Sequence, residues 1–157
     1  MRKAEREITS FEEILAVLSR CDTIRIGISD ATAPYIVPLS FGYEVLDGKI
    51  AIYFHGAKGG RKAKLLRSLP RVCMEADICH GFVDNGRGGY TCDYESVIGY
   101  GTVVLLEGAE ADNGIRLLLE HCGITAEACP AEAMAITAVH RVILDELSGK
   151  RRNLDHP

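Results

Sequence analysis

Asp47-Gly48 constrains this chain more than any other pair of residues. Both central positions of a type I′ turn need positive φ, so the pair predicts a tight hairpin joining "APYIVPLSFGYEVL" to "KIAIYFHG". The turn fixes the register. Leu46 faces Lys49, Val45 faces Ile50, Tyr43 faces Ile52 and Phe41 faces Phe54. The last three pairs are apolar and share one face, and the pairs Glu44 with Ala51, Gly42 with Tyr53 and Ser40 with His55 share the other. A slip of one residue would exchange the faces, so their separation supports the register. Pro38 interrupts the first strand, and a strand tolerates a missing N–H only at an edge or a bulge. Backbone groups from Val37 to Ser40 are then free to meet a ligand.

Around the hairpin the pattern changes period several times. Ser10 and Glu13 have the form of a capping box, and Phe11, Ile14, Leu15 and Leu18 recur at helical spacing through about Arg20. "TIRIGIS" alternates as a strand and ends in the turn-like "SDATAP". Ala63, Leu65, Leu66 and Leu69 give a short helix that stops before Pro70. "RVCMEAD" predicts a strand and residues 80–89 an irregular segment. Residues 90–108 predict one long or bulged strand with Gly99 and Gly101 as bends. "DNGIRLLLEHCG" predicts a helix, "ITAEACPAEA" a loop or short helix, and "MAITAVHRVILDELSG" a closing strand. About six strands and three helices, joined by hairpins rather than strict βαβ alternation, predict a mainly β (α+β) fold. The expected architecture is one domain over residues 1–157, a mostly antiparallel barrel with peripheral helices.

Composition narrows the function classes. No apolar run approaches the roughly 18 residues of a membrane helix, and "MRKAEREITSFEE" lacks the apolar stretch of a secretory signal. A cytoplasmic protein without membrane partners is expected. The net charge of −4 argues against bulk binding to nucleic acid, so any basic cluster is a local feature of an acidic protein. Six cysteines without a CxxC read as reduced thiols. A metal reading would gather Cys79, His80 and Cys92, whose irregular spacing falls short of a tetrahedral set, so no metal is expected.

One cluster carries chemistry. "YFHGAKGGRK" places Lys58, Arg61, Lys62 and, just beyond, Lys64 around three glycines at the front of the predicted helix. Helix starts carry about half a positive charge and favour Asp and Glu. Here the local charge has the opposite sign, and an anion would complete the site. A phosphate uses glycine N–H groups, lysine and arginine together; an ordinary solvated basic face is the competing reading. GxxxxGK[ST] is absent, so nucleotide hydrolysis has no support. His55 has an ionisation range suited to proton delivery, as any histidine does, and His80, His121 and His140 make weaker cases. Ser40 with His55 lacks a third member, which argues against hydrolase chemistry.

"PYIVPLSFGYE", "DGKIAIYFHGAKGGRKAKLLRSLPRVCME" and "YESVIGYGTVVLLEG", in that order, resemble the FMN-binding split β-barrels of the pyridoxamine 5′-phosphate oxidase-like superfamily, in the branch related to 5-nitroimidazole antibiotic-resistance proteins. The closing "SGKRR" is similar to that branch's ending. The resemblance implies a homodimer of six-stranded antiparallel split barrels with FMN at the subunit interface. It puts the phosphate on Lys58, Arg61 and Lys62, and the flavin ring against Val37, Pro38, Leu39, Ser40 and Phe41. Ser96 and Val97 would add contacts from either subunit, and His55 would stand near flavin and substrate. Ser40 occupies a position where the family often has Asn. The activity implied is FMN-dependent reduction of a small acceptor such as a nitroaromatic. The alternatives are a non-catalytic flavin protein and a site for haem or a deazaflavin. Pyridoxamine phosphate is not implied as a substrate.

Overall fold

The computed structural model describes residues 3–125 and 129–152. Strand β1 (Glu7–Ile8) leads into helix α1 (Phe11–Leu18). Ser10 caps that helix by accepting the Glu13 N–H at 3.3 Å, as the capping box predicts. The chain continues through β2 (Ile24–Ile28), β3 (Tyr35–Leu39), β4 (Gly42–Leu46), β5 (Lys49–Ala57), α2 (Gly60–Ser68), β6 (Arg71–Asp84), β7 (Tyr90–Leu106), α3 (Gly108–His121), α4 (Ala131–Ile136) and β8 (Thr137–Arg152). No helix among the described residues is long and apolar enough to cross a membrane.

Every strand pairing is antiparallel, and the order is β3-β2-β6-β7-β8-β5-β4, with β1 added beside β8. Taking β1 as a two-residue addition, and β3 with β4 as two parts of one predicted strand, the expected six-stranded barrel is recovered. The barrel is split because β3 and β4 are the two ends of the strand order. Inside lie Ile24, Ile26, Ile52, Phe54, Met74, Val97 and Val142, all buried, with Val17 and Leu18 of α1 packed in the same core.

Asp47 and Gly48 take φ of 49° and 74°, and the predicted register holds from Leu46 opposite Lys49 to Gly42 opposite Tyr53. There the ladder stops. The expected pairs Phe41 with Phe54 and Ser40 with His55 do not form, because β3 pairs with β2, placing Leu39 opposite Ile24 and Pro38 opposite Arg25. Pro38 thus sits in an edge strand, where its missing N–H is tolerated. The second face of the hairpin is not a solvated one either. Ala51 and Tyr53 form a second core with Leu106, Ala111, Ile115 and Val139 beneath α3. The backbone at Leu117 and Leu118 comes so near Gly42 that no Cβ would fit.

Of residues 80–89, only 85–89 are irregular, as the turn of a hairpin; residues 80–84 continue β6. β6 and β7 stay paired out to Asp84 opposite Tyr90 and form an arm beyond the barrel, with a bulge between Cys79 and Gly81. The side chains of Phe82 and Tyr90 are exposed there. At the arm's root the buried carboxylate of Glu95 accepts from Arg20 at 2.5 Å and Arg151 at 2.7 Å, with His80 Nε2 at 3.1 Å. Arg151 also reaches Glu13 at 3.1 Å, tying α1, the arm and β8 together.

Candidate functional site

The start of α2 is built as an incomplete structure. Its N-cap, Gly59, offers no side-chain hydrogen bond, and its first turn carries no acid. The leading N–H groups of the helix therefore have no side-chain acceptor. Lys62, in that first turn, folds back along β5. Its Nζ donates to the His55 carbonyl at 3.0 Å and lies 5.8 Å from the centre of the Phe54 ring. The ammonium occupies the space that a Cβ at residue 56 would take, so a side chain there would displace it. Burial lowers the Lys62 pKa from its ordinary value. Among the described residues no carboxylate lies within ion-pair distance of it.

Two imidazoles share this setting. His140 of β8 is opposite Phe54 and stacks on its ring, with centroids 5.1 Å apart and planes at 11°. Burial, then the Lys62 charge, pushes its pKa down to about 4, and the Ala138 backbone acts weakly the other way. His140 Nδ1 is buried and makes no hydrogen bond of good geometry. His55, opposite Val139, is exposed on the other face. Its pKa is also lowered, by burial and then by Lys62.

The predicted phosphate residues do not converge. Arg61 stacks on Tyr35 at 4.4 Å and forks onto Asp30, with Nε at 3.1 Å and Nη2 at 2.6 Å from one carboxylate oxygen. Lys58 lines a cleft of about 830 Å³ with Arg67, Leu66, Val103, Met134 and His140. That cleft takes in none of His55, Arg61, Lys62 or the predicted ring-binding strand. Ser96 and Val97 lie on β7, separated from β5 by β8, and the Val97 side chain is wholly buried. Phe41 is buried too, packed on His121 at 4.4 Å, so only its backbone could meet a ligand. Val37, Pro38, Leu39 and Ser40 remain on or next to an open edge. β3 pairs with β2 alone, and past Tyr53 the strand β5 pairs with β8 alone. The contact of Arg61 with Tyr35 brings those two free edges to the same end of the barrel.

Residues 10–151 match the family model described as pyridoxamine 5′-phosphate oxidase. The chain belongs to that family. Among solved structures it is similar to a candidate 5-nitroimidazole antibiotic resistance protein from Bacteroides thetaiotaomicron, with 26% identity, a TM-score of 0.81, and 92% of this chain and 85% of that one covered. The flavocytochrome Anf3 from Azotobacter vinelandii shares the fold at 21% identity and a TM-score of 0.78, covering 99% of this chain and 75% of that one. An FAD- and haem-binding protein from Mycobacterium smegmatis shares it at 17% identity and 0.82, covering 95% and 74%. No curated protein matches the chain.

Within this family member, sequence reasoning missed Asp30 and Tyr35, which hold Arg61, and ranked too low His140, which lies under the reach of the Lys62 charge. His140 had a detectable signal. It falls in the inward series Ala138, His140, Val142 and Leu144, all buried, where a lone imidazole interrupts an apolar pattern. Among the described residues no three His, Cys, Asp or Glu side chains gather as metal ligands, in keeping with His80 turning to Glu95 and away from Cys79 and Cys92.

Proposed function

We propose that the chain is a flavin-dependent oxidoreductase that holds FMN in the split of the barrel and reduces a small acceptor, with nitroaromatics the first class to test. One observation carries the reading: Lys62 is a half-buried cation without a carboxylate partner among the described residues, beside a helix start that no side chain caps. A phosphate dianion supplies the missing charge and accepts N–H bonds from α2. Arg61 would join it by exchanging Asp30 for the phosphate, and Lys58 would approach as well. The open edges of β3, from Val37 to Ser40, and of β5 can hydrogen-bond the polar rim of a flavin ring. The bound flavin would supply the electron transfer from a nicotinamide or another reductant.

His55 projects from β5 beside the split. Burial and the Lys62 charge favour its neutral form, so at neutral pH it offers one N–H to orient an acceptor or deliver a proton. Its backbone carbonyl, held by Lys62, keeps the strand end in place. The Bacteroides relative supports a nitroaromatic acceptor, and the flavin-binding proteins of like fold support the cofactor class. A homodimer suits the outer face of β7 and β8, where Ile98, Tyr100, Val104 and Ile143 are all exposed. A second copy there could bring Ser96 toward the flavin. The six cysteines are free thiols, which suits a reducing, cytoplasmic setting.

The absorption spectrum of the purified protein tests the reading, with FMN bands expected and released cofactor identified by mass. A haem or deazaflavin spectrum, or a colourless protein that does not take up FMN, would overturn it. Holo-protein that oxidises no reductant with nitroaromatic, quinone or flavin acceptors would be a flavin store instead. His55→Ala is expected to keep the flavin and slow turnover; equal turnover would remove His55 from the chemistry.

A further inference from the structure

The arm carries a pair of cysteines that the site does not use. Cys79 is opposite Tyr94, and Cys92 lies two residues from Tyr94 on the same strand, so both thiols leave the arm on one face. Their sulfurs are 3.3 Å apart. His80, next to Cys79 at the bulge, turns to the opposite face, where it meets Glu95. Among the described residues Tyr94 is the last of β7 to pair with β8, and beyond it the arm carries exposed side chains at Phe82 and Tyr90. Cys79 is exposed and Cys92 half-buried, whereas Cys21 is buried against the main core.

We propose that Cys79 and Cys92 are a reversible dithiol–disulfide site, oxidised by hydrogen peroxide. The more exposed Cys79 thiolate attacks one peroxide oxygen, the O–O bond breaks, and the leaving hydroxide takes up a proton to become water. Cys79 is then a sulfenic acid, oxidised by two electrons. The Cys92 sulfur attacks Cys79, the S–S bond forms, the S–O bond breaks and a second water leaves with the Cys92 proton. Two thiols and one peroxide thus give one disulfide and two waters.

Surrounding charge fits this order of events. The Cys92 pKa is raised first by its hydrogen bond with Cys79, then by burial and by the charges of Cys79, Asp93 and Asp77. Oxidation of Cys79 removes the first of these causes and its own charge, so Cys92 becomes the better nucleophile when it is needed. Nearby acids repel anionic oxidants but not neutral peroxide. The disulfide closes a ring around the arm's tip, where Asn85 Oδ1 accepts from Arg87 N at 2.8 Å and Gly89 N at 3.2 Å. It fixes the pairing of a ribbon that has no core of its own.

The test uses the full chain, reduced, desalted and treated with one equivalent of hydrogen peroxide. Arg87 lies between the cysteines, so limited trypsin cleavage there should leave two pieces joined on a non-reducing gel and separated by dithiothreitol. Peptide mapping should show Cys79 and Cys92 lost together, about ten-fold faster than Cys122, an exposed thiol without a cysteine neighbour. Cys92→Ser should leave Cys79 as a sulfenic acid that dimedone traps, and Cys79→Ser should protect Cys92. Equal rates at Cys122, disulfides between chains, or unchanged oxidation of Cys92 in the Cys79→Ser variant would overturn the proposal.

Discussion

The molecule holds two polar centres, one buried and one half-buried, and they are finished to different degrees. At the root of the arm, Glu95 is 4% exposed and surrounded by two arginines and a histidine, one of those arginines also paired with Glu13. Burial pushes the Glu95 pKa up, but hydrogen bonds from Arg20, Arg151 and His80 outweigh it and hold the carboxyl below its ordinary range. At the start of α2 the pattern is reversed. Lys62 lies between a carbonyl and the Phe54 ring, with His140 stacked on that ring and His55 on the other face of β5, and all three groups have pKa values pushed down. The first centre satisfies itself and works as a staple between α1, the arm and β8. The second is left in deficit of negative charge, and the phosphate proposed above would supply it.

Removing the acid from the finished centre should have the largest effect. Glu95→Ala leaves Arg20 and Arg151 facing one another at a buried position and should cost about 2–4 kcal/mol, a partner-loss penalty reduced because both arginines keep some solvent. Urea denaturation measures it, and a cost under about 0.5 kcal/mol, the size of an ordinary surface substitution, would show that the staple is ornamental. His140 should come next. Its pKa is about 4 when folded against 6.5 ordinarily, so between those values the unfolded chain binds the proton and the folded one does not. Stability should fall as pH drops from about 6.5, by up to about 3 kcal/mol near pH 4. His140→Phe, which keeps the stack on Phe54, should flatten that slope. The Glu95 contribution is lost only lower, below its ordinary value of 4.5, so the two centres separate on one pH–stability curve.

Lys62→Met probes the unfinished centre directly. Stability of the flavin-free chain should change by less than about 1 kcal/mol, because a half-buried cation without a counter-ion is being removed. FMN binding should weaken about thirty-fold, roughly 2 kcal/mol for a charge-assisted hydrogen bond. Titration calorimetry reads this, and equal affinity would break the contrast with Glu95. The smallest effect is expected at Asp30→Asn, which releases Arg61 from an exposed pair. FMN should then bind about two- to five-fold more tightly, with the gain shrinking as salt is added.

Local chemistry was legible in the sequence where the chain closes it within a few residues. The Asp47-Gly48 turn fixed five cross-strand pairs, and the Ser10 cap formed as expected. Beyond Gly42 the register failed because two residues, Ser40 and Phe41, carry the chain to the other end of the sheet, and no local pattern announces a change of partner. The arm was hidden for a different reason. A ribbon that carries little core has no need to alternate apolar and polar residues, so "HGFVD" looks irregular though its last four residues are paired, and only "NGRGG" is the turn. The basic cluster was visible as a whole but not as its parts. Side chains three or four bonds long choose among Asp30, the His55 carbonyl and an 830 Å³ cleft, and those choices depend on distant residues.

Near the termini, Glu7 is paired with Lys150 and Ile8 with Gly149, and a Cβ at Gly149 would press into the Ile8 side chain. A contact spanning nearly the whole sequence is expensive in loop entropy and late to form. An emerging polypeptide can build the Asp47-Gly48 hairpin early, yet it cannot seal the seam beside α1 until Lys150 is free of the ribosome. The Glu95 centre, which needs Arg151, stays open to water for that interval.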